Sequence, residues 1–181
     1  MLIIVTGSIG AGKSTVCHRL LGWAAKTGYL CGGVLSHKAA GGAIVVENIL
    51  TGERRNLAGP PGLYGGPKFG DFSFSPQGIA FGMKAVREGM SLPLTLIDEL
   101  GPLELAGSGF ANAIPLLNSA KLGNRVVVIR ESLLSSFLPL FSRRAMVLRT
   151  TPESRDILPW QISQLTAVSP AAHPCSFATA V

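Results

Sequence analysis

Gly7-Ser8-Ile9-Gly10-Ala11-Gly12-Lys13-Ser14 has the spacing G-x-x-x-x-G-K-[ST] and follows directly on the apolar run Leu2-Ile3-Ile4-Val5-Thr6. Few folds satisfy both at once. Such a loop surrounds a polyphosphate with backbone N–H groups only if a buried strand delivers it and a helix leads away, with the positive end of the helix facing the anion. The helix is legible in Ser14 to Leu21, where Val16, Leu20 and Trp23 recur at helical spacing. In this geometry Lys13 reaches the β- and γ-phosphates and the Ser14 hydroxyl is placed to ligate Mg²⁺, while Gly7 and Gly12 permit approaches that a Cβ would block. The nucleotide-binding set read from the chain is therefore Gly7, Ser8, Ile9, Gly10, Ala11, Gly12, Lys13, Ser14 and Thr15.

Composition narrows the class. With 181 residues, 47% hydrophobic and 14% charged, the chain has material for one sizeable core and is not of the disordered type. Its formal charge of +6 is spread along the sequence without a dense basic run, so a polyphosphate ligand is favoured over nucleic acid. Cys17, Cys31 and Cys175 are odd in number and form no C-x-x-C pair, which argues against a disulfide framework or a cysteine zinc site and fits a reducing cytoplasm. Cys17 reads as a small hydrophobe inside the first helix. The N-terminal apolar run has no basic segment before it and leads straight into the phosphate loop, so it reads as a strand and not as a leader; no other stretch reaches the length of a membrane span.

Beyond the loop, the first helix is expected to stop near Gly28. Strands are expected at 33–36 and 43–47, then a turn at 50–53 into a further strand over 54–57, making a small β-hairpin insert. Residues 59–70 are too rich in Gly and Pro for regular structure, and a loop of that length is commonly functional or mobile. Phe72-Ser73-Phe74 alternates like a short strand, and Pro76 opens a helix running to about Glu88. Leu94 to Ile97 is a buried strand ending in Asp98-Glu99. A helix over 109–120 contains Pro115, and the apolar runs 126–129 and 145–148 are two more strands. Thr151-Pro152-Glu153-Ser154 reads as a cap opening a last helix to about Leu165, kinked at Pro159. Alternation of apolar runs with helices predicts an α/β fold with helices on both faces of the sheet. The expected organisation is one domain over 1–165 and a loose, uncharged tail over 166–181.

Asp98 closes an apolar strand, where a carboxylate can face the Mg²⁺ held by Ser14. Its neighbour Glu99 can serve as the general base that polarises an attacking water, which favours hydrolysis over transfer to another substrate. Arg130, at the end of strand 126–129, reaches the γ-phosphate if that strand lies beside the phosphate loop, and otherwise forms a surface ion pair. Arg143-Arg144 could act on a second molecule or simply be solvated, and Tyr64 and Lys68 are weak candidates for contact with base or ribose. His18, His37 and His173 lack ligand spacing, and Trp23 and Trp160 read as packing residues.

Gly7 to Ser14, Gly32 to Ser36, the stretch Ile97-Asp98-Glu99-Leu100-Gly101-Pro102-Leu103-Glu104-Leu105 and Thr151 to Asp156 together resemble the THEP1-type nucleoside triphosphatases over about residues 1–165. The acidic stretch, similar to I-D-E-[IL]-G-x-[ML]-E-[LF], is the specific part. The resemblance implies a P-loop NTPase with a RecA-like, mostly parallel sheet. It also implies slow, Mg²⁺-dependent hydrolysis of ATP, GTP and other nucleoside triphosphates with loose base selectivity. Carried over by position, Lys13 and Glu99 are the catalytic residues and Ser14 and Asp98 the metal ligands, while Glu104 matches the second acid without an assigned role. Phe69 to Phe74 departs from the family's V-G-x-Y-x-V style, and Arg130 stands where members tend to carry a smaller or neutral residue. Two other readings stay open at this point: a kinase for a nucleotide or small molecule, and a nucleotide-controlled adapter with a protein partner of unknown kind. The first is marked by acceptor-dependent ADP formation, the second by partner retention that depends on bound nucleotide.

Overall fold

The computed structural model describes residues 1–166. In chain order the elements are β1 (Leu2–Gly7), α1 (Lys13–Lys26), β2 (Cys31–Lys38), β3 (Ile44–Asn48), β4 (Arg54–Gly59), β5 (Lys68–Phe69), β6 (Phe72–Phe74), α2 (Pro76–Gly89) and β7 (Leu94–Leu100). They continue with α3 (Pro102–Leu105), α4 (Ala113–Ser119), β8 (Asn124–Arg130), α5 (Leu134–Phe137), β9 (Ala145–Arg149) and α6 (Leu158–Leu165).

All nine strands form one sheet in the order β5-β6-β4-β3-β2-β7-β8-β1-β9. The run from β2 to β9 is parallel, and its inner strands β1, β7 and β8 are buried on both faces because each side of the sheet carries helices, while the edge strand β9 is partly exposed. Alternation along β1 divides the work. Leu2 and Ile4 point into a layer with Met83 and Val86 of α2, Leu117 of α4 and Phe137 of α5, whereas Ile3 and Val5 meet Val16 and Leu20 of α1 and Leu158 and Ile162 of α6. Burying a side chain of this size stabilises the fold by roughly 1.5–3 kcal/mol each. Cys17 is fully buried in the second layer, as a small hydrophobe would be.

The hairpin read from the sequence is the start of a longer antiparallel wing. β3 pairs with both β2 and β4, and β6 and β5 extend the sheet beyond β4. The Gly/Pro-rich stretch before β6 is anchored: Ser73 Oγ donates to the Pro60 carbonyl at 2.7 Å and accepts from the Tyr64 N–H at 3.0 Å.

Two helices begin later than periodicity implies. The segment before α4 turns at Gly109, with φ 58°, and the Phe110 N–H is taken by the Glu104 carboxylate, so regular helix starts only at Ala113 and Pro115 falls in its first turn. Likewise Thr151 and Ser154 close a turn on each other, each side-chain oxygen accepting from the other's N–H, so 151–156 do not open the last helix. Pro159 sits in the first turn of α6, where its missing N–H costs nothing, and so it opens the helix and does not kink it. Trp160 is 62% exposed and is not a packing residue, while Trp23 is partly buried against the α1 layer. Of the tail expected over 166–181, Thr166 is buried at the end of α6 and the rest, including Cys175 and His173, lies outside the described residues. No helix among the described residues is long and apolar enough to cross a membrane.

Candidate active site

The strand order decides which side chains meet. β8 lies between β1, which delivers the phosphate loop, and β7, which delivers the acidic pair, and register sets Gly7 opposite Arg130. Three chemically distinct strand ends therefore share one edge of the sheet.

Lys13 begins α1 and is buried, its Nζ donating to the carbonyls of Gly7 at 3.0 Å and Ser8 at 2.7 Å. The loop thus wraps its own lysine, and these two carbonyls occupy donors that phosphate oxygens would claim. Burial lowers the Lys13 pKa; the Glu99 carboxylate is the strongest charge acting the other way. Gly7 has no room for a side chain, because a Cβ there would lie 2.6 Å from the Thr150 carbonyl oxygen. Gly12, just before α1, holds φ 101° and lies beneath Arg155, whose Cδ would be 2.9 Å from a Cβ at that position. Ser8, Ile9, Gly10, Ser14 and Thr15 are exposed, with Ala11 folded inward, so the loop and the first turn of α1 are open to solvent.

Asp98 is 3% exposed and forms no ion pair among the described residues; its Oδ2 accepts from the Ser36 N–H at 3.4 Å, and the Ser36 hydroxyl donates back to the Asp98 carbonyl at 3.4 Å. Burial pushes its carboxyl up to about 6, with the Ser36 N–H and Lys13 pulling down and Glu99 adding to the rise. A buried carboxylate that has no ion pair among the described residues and an exposed Ser14 hydroxyl at the start of α1 are both hard-oxygen donors. They fit Mg²⁺, which takes one or two protein oxygens and keeps waters and phosphates for the rest.

Glu99 has φ 74°, the one non-glycine among the described residues with positive φ, and it lies where the β7–β8 register shifts between Ile97 and Leu100. Such a conformation costs on the order of 1–3 kcal/mol and is kept only where surroundings impose it. The shift places Glu99 as an extra residue at the strand end, with Arg130 Nε donating to its Oε1. Arg130 is thus neither a lone surface cation nor free: it ties the second acid to the strand end opposite Gly7.

Sequence reasoning left Glu104 without a role, and the structure supplies one. It is buried, and its two carboxylate oxygens accept from the N–H groups of Gly101 at 2.7 Å and Phe110 at 2.8 Å, fastening the loop that follows β7. Burial raises its pKa against those two hydrogen bonds. Arg155 was also missed as a neighbour of the phosphate loop; its only signal was its place in Thr151 to Asp156. His18 and His37, unremarkable in sequence, approach with ring centroids 5.5 Å apart, and His37 Nε2 lies 2.9 Å from Glu47. Arg143 acts electrostatically on the Met1 amino group and Arg125, at the opposite end of the strands from the phosphate loop. Lys68 lies on β5, at the opposite edge of the sheet from β9, and Tyr64 lies in the stretch leading to it, its N–H donating to Ser73 Oγ.

Comparison with known proteins agrees with this geometry. A family model described as "NTPase" matches residues 2–163. The nucleoside-triphosphatase THEP1 of Methanosarcina acetivorans is 30% identical over 168 residues, spanning 89% of this chain and 94% of that protein. The crystal structure of THEP1 from the hyperthermophile Aquifex aeolicus superposes with a TM-score of 0.73 at 20% identity, covering 92% of this chain and 99% of that one. The solution structure of a human cancer-related nucleoside triphosphatase gives 0.74 at 20% identity, covering 94% and 99%. At that identity the two structures speak for the fold.

Proposed function

The chain belongs to the THEP1-type nucleoside-triphosphatase family, and on that premise we propose that residues 1–165 act as one catalytic unit hydrolysing ATP, GTP and other nucleoside triphosphates to diphosphate and phosphate. One observation carries the reading: Arg130 stands in strand register with Gly7 of the phosphate loop and its side chain holds Glu99, so cradle and base are brought to the same strand end by a single residue.

The triphosphate displaces the Gly7 and Ser8 carbonyls from Lys13 Nζ, and the ammonium then offsets charge developing on the β- and γ-phosphate oxygens. Residues 8–15 add backbone N–H groups and the N-terminal end of α1. Ser14 and Asp98 are the residues that would hold Mg²⁺, which when bound neutralises phosphate charge. Glu99 accepts a proton from the attacking water, and its strained backbone together with Arg130 fixes where that carboxylate points. Arg130 in this account is a positioning residue.

The test is a panel of triphosphates with and without Mg²⁺, scored for phosphate release. Release from several bases, only with the metal and abolished in Lys13→Ala, is the expected result; turnover that survives Lys13→Ala overturns the assignment.

A further inference from the structure

A cavity of about 290 Å³ opens beside Glu99 and Arg130, and no residue of the phosphate loop contributes to its lining. Hydrolysis has no use for it, since an attacking water needs one carboxylate and no chamber. Its walls come from distant parts of the chain: Ile44 and Leu57 from the antiparallel wing, Phe72 and Phe74 from β6, Ile79 from α2, and Phe110 from the loop after β7. That last wall is held in place by Glu104, whose carboxylate bonds both ends of the loop. Phe69, 47% exposed, stands at the rim on the β5–β6 hairpin.

Chemistry inside the cavity is asymmetric. Apolar and aromatic groups line most of it, and Glu99 and Arg130 mark the end nearest the site of phosphoryl chemistry. The charged groups of the lining are Asp71, Glu99, Glu104 and Arg130, so three acids face one cation that already donates to Glu99, and a phosphate or carboxylate is disfavoured there. The volume sits at the lower end of small-molecule sites and suits one ring system, not a second triphosphate. Aromatic walls select a flat ring, and Glu99 selects a hydrogen-bond donor on it.

We propose that this cavity is an acceptor site for a neutral aromatic alcohol, whose hydroxyl rests against Glu99 and receives the γ-phosphoryl group. The proposal rests on the nucleotide reading above and on the same base. The alcohol oxygen bonds to the γ-phosphorus as the bond from that phosphorus to the β–γ bridging oxygen breaks. The nucleoside diphosphate leaves with the electron pair, and the hydroxyl proton passes to the Glu99 carboxylate and then to solvent. The products are a phosphomonoester and nucleoside diphosphate. Water takes the place of the alcohol when the cavity is empty, giving the basal hydrolysis.

The probes are benzyl alcohol, 2-phenylethanol, tryptophol and thymidine, each with the full chain, ATP and Mg²⁺. Phosphorus NMR follows the products, and saturation-transfer NMR without nucleotide follows binding alone. For at least one probe we expect saturation transfer to the ring protons and a phosphomonoester resonance. Both should fall at least tenfold in Ile79→Trp, which fills the cavity, while phosphate release from ATP alone continues. Ile44→Trp fills it from β3 and serves if the first variant does not fold. Absence of saturation transfer from every probe, or a bound probe that yields inorganic phosphate only, overturns the acceptor site. No phosphate from ATP alone defeats the hydrolytic reading instead and leaves the binding signal to judge the cavity.

Discussion

Asp98→Asn separates what this carboxylate costs the fold from what it contributes to chemistry. Burial raises the Asp98 carboxyl from 3.8 to about 6, so between those values the native protein holds a proton that the unfolded chain has released. Stability from this group is therefore greatest below about pH 4 and declines as pH rises through about 6. Above that, an ionised carboxylate kept out of water with no ion-pair partner costs on the order of 3 kcal/mol relative to the unfolded chain. Asparagine keeps the shape and the acceptor for the Ser36 N–H, and it removes the charge. It also adds an amide donor, which gives back about 1 kcal/mol if that donor goes unpaired. In metal-free protein at pH 8, urea unfolding should find Asp98→Asn more stable by roughly 2 kcal/mol, with unchanged m-value, and the gap should close near pH 4. The same variant should lose Mg²⁺-dependent phosphate release. A wild-type protein as stable as the variant at pH 8 without metal, or a difference that does not vary between pH 4 and 8, would refute the argument, since either means that charge burial is not what the site pays.

Three further outcomes follow from the geometry. Glu99→Gln should bind nucleotide within a few-fold of wild type while kcat falls by about 10²–10⁴; full turnover in that variant removes Glu99 as the base. Arg130→Gln should lower kcat by about tenfold with little change in KM, because it loosens the aim of Glu99 and leaves the phosphate cradle in place; a rise in KM with kcat intact would mean that Arg130 binds substrate directly. Glu104→Ala leaves the N–H groups of Gly101 and Phe110 unpaired and should destabilise by about 2–5 kcal/mol, read as a lowered midpoint in thermal unfolding; a loss well under 1 kcal/mol would show that the loop finds other partners.

What the sequence by itself determined is local. The phosphate loop is legible because its chemistry is made by contiguous backbone between one strand and one helix, so spacing alone specifies it. Burial of the strands and the helix faces follows from periodicity over neighbouring residues, as Val16 and Leu20 on α1 illustrate. Helix starts were less legible, because Phe110 and Thr151 give their N–H groups to side-chain oxygens that a periodic pattern does not register. Only the tertiary structure decided that β8 lies between β1 and β7, and with it that Arg130 meets Glu99 across 31 residues of chain. The same holds for the positive φ at Glu99, the capping by Glu104, the approach of Arg155 to Gly12 and the apolar cavity beside the base. Each depends on which strands and loops become neighbours, a choice made by packing the whole core and not by any stretch of sequence read alone.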